Sequence, residues 1–383
     1  MSAATVFEGL NTPRLILDAD RLQHNAARMR TRCDTLGVAL RPHLKTAKSA
    51  DVARIAANGA CGPITVSTLA EAEYFAAAGW RDILYSTAIA PAKLARAHRI
   101  QHDQGAQLLL VLDDREAAAA IGEAAAALGA RFAILIEIDC GEHRSGTAPA
   151  SDELLAIAAV IDANSPQLEL MGVMTHAGHS YAFDDPAPIR ALAEVERHAA
   201  VASADLLRQQ GYACPIVSIG STPTVMFAAH LAGVTEVRAG IYLFGDLSQL
   251  SRGVCTHEDI AVSVLATVIG HQRRGATPSL IVDAGALALS KDVGANRFMP
   301  NAGYGLVCDA ATLEPFDSLA VTTVHQEHGA VPVPDESWFD QLPLGSVVRI
   351  LPGHACLTCA AYTSYDVLRD GKLSEEWPRV GGW

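Results

Sequence analysis

An α/β protein is predicted: a (β/α)8 TIM-type barrel over residues 12–254, followed by a C-terminal β domain over 255–383. Two patterns carry the expectation. Between residues 38 and 240 eight short apolar runs alternate with helix-like segments, as a barrel of eight βα units requires. Beyond residue 255 strand-like segments are separated by Pro, Gly and Asp clusters instead of long helices. Length agrees, since 383 residues, 50% of them hydrophobic and 19% charged, suffice for two cores.

Taken in order, PRLILD (13–18) is strand-like, precedes a helix over 19–36 and fits either domain. The eight barrel runs are VALRP, ITVS, ILYS, LLLVL, AILIEI, MGVMT, PIVSI and TEVRA. Between them REAAAAIGEAAAALG (115–129) and SDELLAIAAVIDAN (151–164) are rich in Ala, Leu and Glu and carry capping residues, so they read as crossover helices. IAVSVLATVIG, PSLIVDAG, LAVTTVHQEHG and GSVVRILPG are the expected strands of the β domain, on which residues 1–11 are expected to pack.

The N-terminal MSAATVFEGL lacks a secretory pattern, and no run approaches the roughly 18 apolar residues of a membrane span. Eight scattered cysteines do not form a dense disulfide framework and are expected to be reduced, which places the protein in the cytoplasm. A formal charge of −13 argues against nucleic-acid and membrane partners and leaves small molecules.

Barrel enzymes carry their chemistry just past the C-terminal ends of the strands. Here those ends read RPHLKTAKS, DCGEHRSG, HAGHSYA, GSTPT and RAGIY, which gather polar, basic and glycine residues at one rim. Lys45, one of five lysines, stands just before a helix expected to start near Thr46, where its amine is placed to form an imine with a carbonyl group. A surface lysine at a helix start is the competing reading, and Lys48 the local competitor, expected one turn along that helix. GSTPT (220–224) and RAGIY (238–242) offer glycine amides, hydroxyls and a helix start that together suit a phosphate, although such a stretch alone is usually just a turn. Arg144, His176 and Tyr181 are further rim candidates, for which satisfied structural roles stay open.

LPGHACLTC (351–359) sets His354 two residues before Cys356. On a strand both side chains project from one face about 6–7 Å apart. A neutral imidazole with a thiolate suits zinc, whereas a carboxylate in place of the thiolate suits a harder ion such as manganese. Spacing alone favours two buried structural residues. Cys359 is expected on the opposite face of a continuing strand.

The ordered set RPHLKTAKS, TVSTLAEAEYFAAAG, HRSG, THAGHSY, GSTPT, EVRAGIYLF, QEHG and LPGHAC spans nearly the whole chain and resembles the fold-type III pyridoxal-phosphate enzymes, the alanine racemase-like group. Within it the match is to the D-threonine aldolase and eukaryotic-type D-serine dehydratase family, which includes D-threo-3-hydroxyaspartate dehydratase. The resemblance implies pyridoxal phosphate bound through a Schiff base to Lys45, with Arg144 on its phenolic oxygen, His176 against its ring and Tyr181 in the site. It puts Ser221, Thr222, Gly240 and Ile241 at phosphate-binding positions, and Arg238 where an arginine faces the pyridine nitrogen in the racemase.

It also makes His354 and Cys356 ligands of Zn2+, with Mn2+ as another ion the site accepts. Because dehydratases of this family carry His-x-Cys where its aldolases carry His-x-Asp, Cys356 points to water elimination from a D-β-hydroxy amino acid. D-threo-3-hydroxyaspartate would give oxaloacetate and ammonia, and D-serine pyruvate and ammonia. Metal-dependent aldol cleavage to glycine and an aldehyde is the alternative, followed by racemisation and by a non-catalytic cofactor carrier. A homodimer is implied, and Gln326, Glu327 and His328 are candidate substrate neighbours.

Overall fold

The computed structural model describes residues 6, 7, 9–274 and 277–383. Contacts divide the chain into two units, residues up to Ala26 with Ile241–Arg379 and Ala27–Gly240 with Val380–Trp383. The strand β1 (Arg14–Asp18) comes first, and helix α1 (Ala19–Leu36) spans the cut.

The barrel unit holds β2 (Ala39–Leu40), β3 (Ile64–Val66), β4 (Asp82–Ala88), β5 (Gln107–Leu112), β6 (Phe132–Ile138), β7 (Leu168–Thr175), β8 (Ile216–Ile219) and β9 (Glu236–Val237). They form one parallel sheet in the order β2-β9-β8-β7-β6-β5-β4-β3, each from one of the eight apolar runs. A parallel bridge from His43 to Thr65 joins the two ends of that order, with Leu44 N–H on Thr65 O and Thr65 N–H on Pro42 O at 2.9 Å each, and closes the ring. Leu84, Leu109, Val111, Leu135 and Met174 form a buried cluster from four neighbouring strands.

Between the strands run α2 (Ala50–Ala56), α3 (Leu69–Ala77), α4 (Leu94–Gln104), α5 (Arg115–Leu128), α6 (Asp152–Ala163), α7 (Pro186–Gln209) and α8 (Thr222–Phe227). Their boundaries follow from side chains that satisfy orphan amides: Thr68, Asp114, Ser151, Asp185 and Ser221 each accept a first-turn N–H, and Gly105 and Gly129 end α4 and α5 in the left-handed conformation. The helix expected at Thr46 starts instead at Ala50, because residues 44–47 form a turn and Lys48 has φ +49°, outside the helical region.

The other unit contains α9 (Leu247–Leu250), β10 (Val262–Gln272), β11 (Ser279–Val282), α10 (Ala286–Leu289), β12 (Gly305–Asp309), β13 (Pro315–Ala320), β14 (Thr323–Val324), β15 (Gly329–Pro332) and α11 (Trp338–Gln341). After these come β16 (Val347–Pro352), α12 (Ala355–Ala360), β17 (Ser364–Arg369) and β18 (Lys372–Pro378). Its main sheet runs β13-β12-β16-β10-β1-β17-β18, and the far end of β10, across a bulge between Val268 and Gly270, pairs with β11, which continues to β15 and β14. The expected strand at 319–329 is broken: β13 ends at Ala320, β14 is two residues long, and 325–328 form an exposed turn.

PRLILD joins this sheet, antiparallel to β10 and parallel to β17. Leu247 shares a buried core with Cys255, Ile260 and Leu351. These two packings draw the units at 26/27 and 240/241, whereas the sequence pattern puts the breaks at 12 and 254/255. Phe7 packs with Ile16, Leu265 and Leu368; of the segment expected to pack here, residues 1–5 and 8 lie outside the described residues. Among the described residues no helix is long and apolar enough to cross a membrane.

Candidate active site

At the C-terminal rim of the barrel His43, Lys45, Ser67, Ser86, Glu137 and Arg144, together with Met174, His176, Gly220 and Arg238, line a cavity of about 200 Å3. Four of the expected residues, Lys45, Arg144, His176 and Arg238, therefore meet at one place. Tyr181 sits in the turn after β7, and Ser221, Thr222 and Gly240 follow β8 and β9; none of these four is in the cavity lining. Ile241 follows Gly240 directly and falls in the other unit.

Two neutral histidines flank the lysine. His43 Nδ1 accepts the Lys45 amide at 3.4 Å, which leaves Nε2–H to donate to Ser86 Oγ at 3.2 Å. Burial, and then the charges of Lys45 and Arg238, hold its pKa well below the usual histidine range. His176 has the other tautomer: its Nδ1–H donates to Gly220 O at 2.7 Å. Burial and Lys45 push its pKa down to about 3, so its imidazole is uncharged at neutral pH.

Arg238 is fixed from behind. Its guanidinium donates to Ser218 Oγ at 2.7 Å and to Thr175 O at 2.6 Å. The Ser218 hydroxyl donates in turn to Glu236 Oε1 at 2.7 Å, and Glu236 takes Arg41 Nε at 2.9 Å. Burial lowers the Arg238 pKa against the opposing charges of Glu236, Glu196 and Glu137. Arg144 is held more loosely, 3.9 Å from Glu137 and 3.5 Å from Glu142, and is exposed. Burial raises the pKa of Glu137, although a Ser145 hydrogen bond and Arg144 oppose it. Lys48 does not reach the cavity lining; its Nζ pairs with Glu71 Oε1 at 3.2 Å.

Pyridoxal phosphate can be tested against these residues. Gly220 has φ +135°, and a Cβ there would lie 2.8 Å from Arg238 N; at Gly240 it would lie 2.6 Å from His43 O. Both positions thus admit only glycine, because backbone packs against backbone there, beside the Ser221 cap whose side chain accepts Thr224 N–H. A primary amine, a neutral imidazole and a fixed guanidinium line the same cavity. The donor set fits.

In the other unit His354 and Cys356 do not lie on a strand. β16 ends at Pro352, His354 is the N-cap of α12 and Cys356 its second residue. The chain turns there because Asp246, fully buried, accepts Ala355 N–H at 2.9 Å and Gln249 N–H at 2.8 Å, starting two helices with one carboxylate. His354 Nδ1–H donates to Asp292 Oδ2 at 2.7 Å, and its ring also hydrogen-bonds the Cys356 side chain. Burial would lower the His354 pKa, but Asp292 and Cys356 outweigh it and bring it to about 11.

With Asp292 on Nδ1, the ring nitrogen that remains is the one bonded to the Cys356 sulfur, so a cation replacing the proton between them would find an imidazole and a thiolate, a pair that fits zinc. Among the described residues no group of three or more His, Cys, Asp or Glu side chains gathers to hold an ion. Cys359, one helical turn on, is fully buried with its pKa pushed up to about 12 by burial. Gln326, Glu327 and His328 lie in the exposed 325–328 turn.

His43, Glu137 and Ser86 are among the cavity residues not singled out from the sequence. His43 was readable, standing two residues before Lys45 in RPHLK; Glu137 and Ser86 sit inside apolar strands and carry no signal of their own.

Residues 17–248 match the alanine racemase N-terminal domain, and residues 261–368 a serine dehydratase domain. The chain is 45% identical to D-threo-3-hydroxyaspartate dehydratase of Delftia sp. (strain HT23), covering 98% of each, and 31% identical to D-serine dehydratase of Dictyostelium discoideum, covering 94% of each. The solved structure of the Delftia enzyme superposes with a TM-score of 0.93 over 99% of this chain and 100% of that one, at 45% identity. Two further structures of a dehydratase of that name carry alanine for a histidine and for the cysteine two residues after it, the second in the metal-free form.

Proposed function

We infer the function from one premise: the chain belongs to the alanine racemase-like family that joins an alanine racemase N-terminal domain to a serine dehydratase domain. On it we propose a dehydratase, an ammonia-lyase of D-β-hydroxy amino acids. It converts D-threo-3-hydroxyaspartate to oxaloacetate and ammonia, D-serine to pyruvate and ammonia, or both. The observation that carries the choice of elimination is His354-x-Cys356 with Asp292 behind it, a soft donor pair with the same spacing as the substituted histidine and cysteine of the dehydratase structures.

When bound, pyridoxal phosphate supplies the electron sink that acidifies the substrate's Cα–H, and Zn2+ on His354 and Cys356 supplies the Lewis acid that eases departure of the β-hydroxyl. The protein's own groups do the rest. Lys45 would hold the cofactor through its Nζ and would take the Cα proton. Neutral His176 would lie against the cofactor ring without adding charge. Arg144, loosely tethered, would serve the phenolic oxygen, and Arg238, anchored to Ser218 and Thr175, the pyridine nitrogen. Ser221, Thr222, Gly240 and Ile241 would hold the phosphate, with Tyr181 at the same rim. We assign a homodimer in the cytoplasm, where free thiols stay reduced.

The deciding experiment is NMR product analysis of protein loaded with cofactor and zinc, incubated with D-threo-3-hydroxyaspartate and separately with D-serine. Oxaloacetate or pyruvate with ammonia supports elimination. Glycine with glyoxylate would make the protein an aldolase, and no turnover with either substrate would remove the proposal.

A further inference from the structure

Glu196 is a fully buried carboxylate that the proposed chemistry does not use. It stands on α7, the crossover from β7 to β8. These two strands pair in parallel only as far as Met174 with Ser218, and beyond that point they no longer bond each other. The separation opens the rim, and it leaves the amides of Ala177 and Gly220 without a cross-strand acceptor. Glu196 Oε1 takes both, Ala177 N–H at 2.9 Å and Gly220 N–H at 3.1 Å.

Those two amides bracket the histidine of the cavity. Ala177 is the residue after His176, and Gly220 is the residue whose carbonyl accepts His176 Nδ1–H. One carboxylate oxygen therefore fixes the backbone on which the ring stands and the carbonyl that selects its tautomer. Gly220 also leads directly into Ser221 and Thr222, and Ser221 Oγ lies 3.1 Å from Ser180 Oγ of the β7 turn.

We propose that Glu196 is a positioning residue for the reaction, a staple between the β7 and β8 rim loops that holds His176 as its Nδ1–H tautomer and aligns it with the phosphate-binding turn. The proposal rests on the dehydratase reading for its catalytic meaning, but its geometric content does not. Reach is the property that matters. A glutamine keeps an acceptor oxygen at the same distance from the helix, while an aspartate keeps the charge and falls one methylene short of bridging two loops. Burial opposes the ionised form of Glu196, which agrees with a neutral amide being tolerated there.

The test uses the full-length protein and its E196Q, E196D and E196A variants, each checked for folding by circular dichroism. Nitrogen-15 NMR of the His176 ring is recorded with and without cofactor, and kcat and KM are measured on the loaded enzyme. Wild type and E196Q should give two well-separated ring-nitrogen signals, one protonated and one bare. E196D and E196A should lose that separation, and kcat should fall on the order of 10²-fold with little change in KM, as misplacement of a cofactor-contacting group requires. An unchanged tautomer in E196D or E196A overturns the proposal. So does loss of it in E196Q, which would make charge the operative property. If E196A fails to fold, E196D and E196Q still decide. Should the dehydratase reading fail, kcat is lost as a readout while the tautomer still answers.

Discussion

Lys48 Nζ lies 3.2 Å from Glu71 Oε1, and this pair separates the two lysines of the RPHLKTAKS turn. Glu71 is fully buried and is further held by Ser67 N–H and the Thr68 hydroxyl. The Lys48 carbonyl accepts Val380 N–H at 2.8 Å, so backbone and side chain are both committed. Lys45 lines the cavity. Borohydride treatment of cofactor-loaded protein should leave a fixed pyridoxyl adduct in wild type and in Lys48→Ala, and none in Lys45→Ala, by intact-mass measurement. An adduct surviving in Lys45→Ala would transfer the role to Lys48. Lys48→Ala should cost stability instead, about 1–3 kcal/mol, because Glu71 loses a charged partner.

Ser218 links two buried ions. Its hydroxyl accepts from Arg238 and donates to Glu236, so Ser218→Ala leaves both short of a bond inside the barrel. Urea unfolding should report a loss of about 1–3 kcal/mol. Cofactor retention should weaken with it, since among the described residues Arg238 keeps the Thr175 carbonyl as its hydrogen-bonding anchor. A change below about 0.5 kcal/mol, the size of an ordinary surface substitution, would mean that the ions find other partners.

Asp292 predicts a metal effect without being a ligand. Its hydrogen bond occupies Nδ1 and fixes the His354 ring with its other nitrogen toward Cys356, and the same bond holds the Asp292 pKa below the usual range. Asp292→Asn should weaken zinc binding by about 10–100-fold in competition with a chromophoric chelator. Unaltered affinity would show that His354 is oriented by something else.

The barrel was legible because its eight runs are largely apolar and separated by capped helices, two strong local signals. The rim residues followed from the rule that strand ends carry chemistry, which is why Lys45, Arg144, His176 and Arg238 fall together in the cavity. Local pattern failed where a distant side chain decides. α12 begins at Ala355 because Asp246, 109 residues away, captures Ala355 N–H. PRLILD looks the same whichever sheet it joins, and its place depends on pairing with β10 and β17, both more than 200 residues on in the chain. Glu196 reads as one more charged position in a long helix until the two loops that it bridges are seen.

A pH dependence follows from His176. In the unfolded chain its pKa is about 6.5; in the fold, burial and then Lys45, with Arg238 and Arg144, bring it to about 3, against the Gly220 carbonyl. Between those values the unfolded chain binds the extra proton, so stability is complete above pH 6.5 and declines as pH falls below it, by up to about 1.4 kcal/mol per unit. By pH 5 this imidazole alone should have removed about 2 kcal/mol from cofactor-free protein, relative to its stability at high pH. Urea unfolding of wild type and His176→Gln across that window isolates it, because His43, Glu137 and Glu196, whose own pKa values burial displaces, titrate in both proteins. The variant's stability should fall less steeply. Parallel curves would mean that protonated His176 is accommodated in the fold, which would contradict its place as the uncharged ring beside Lys45.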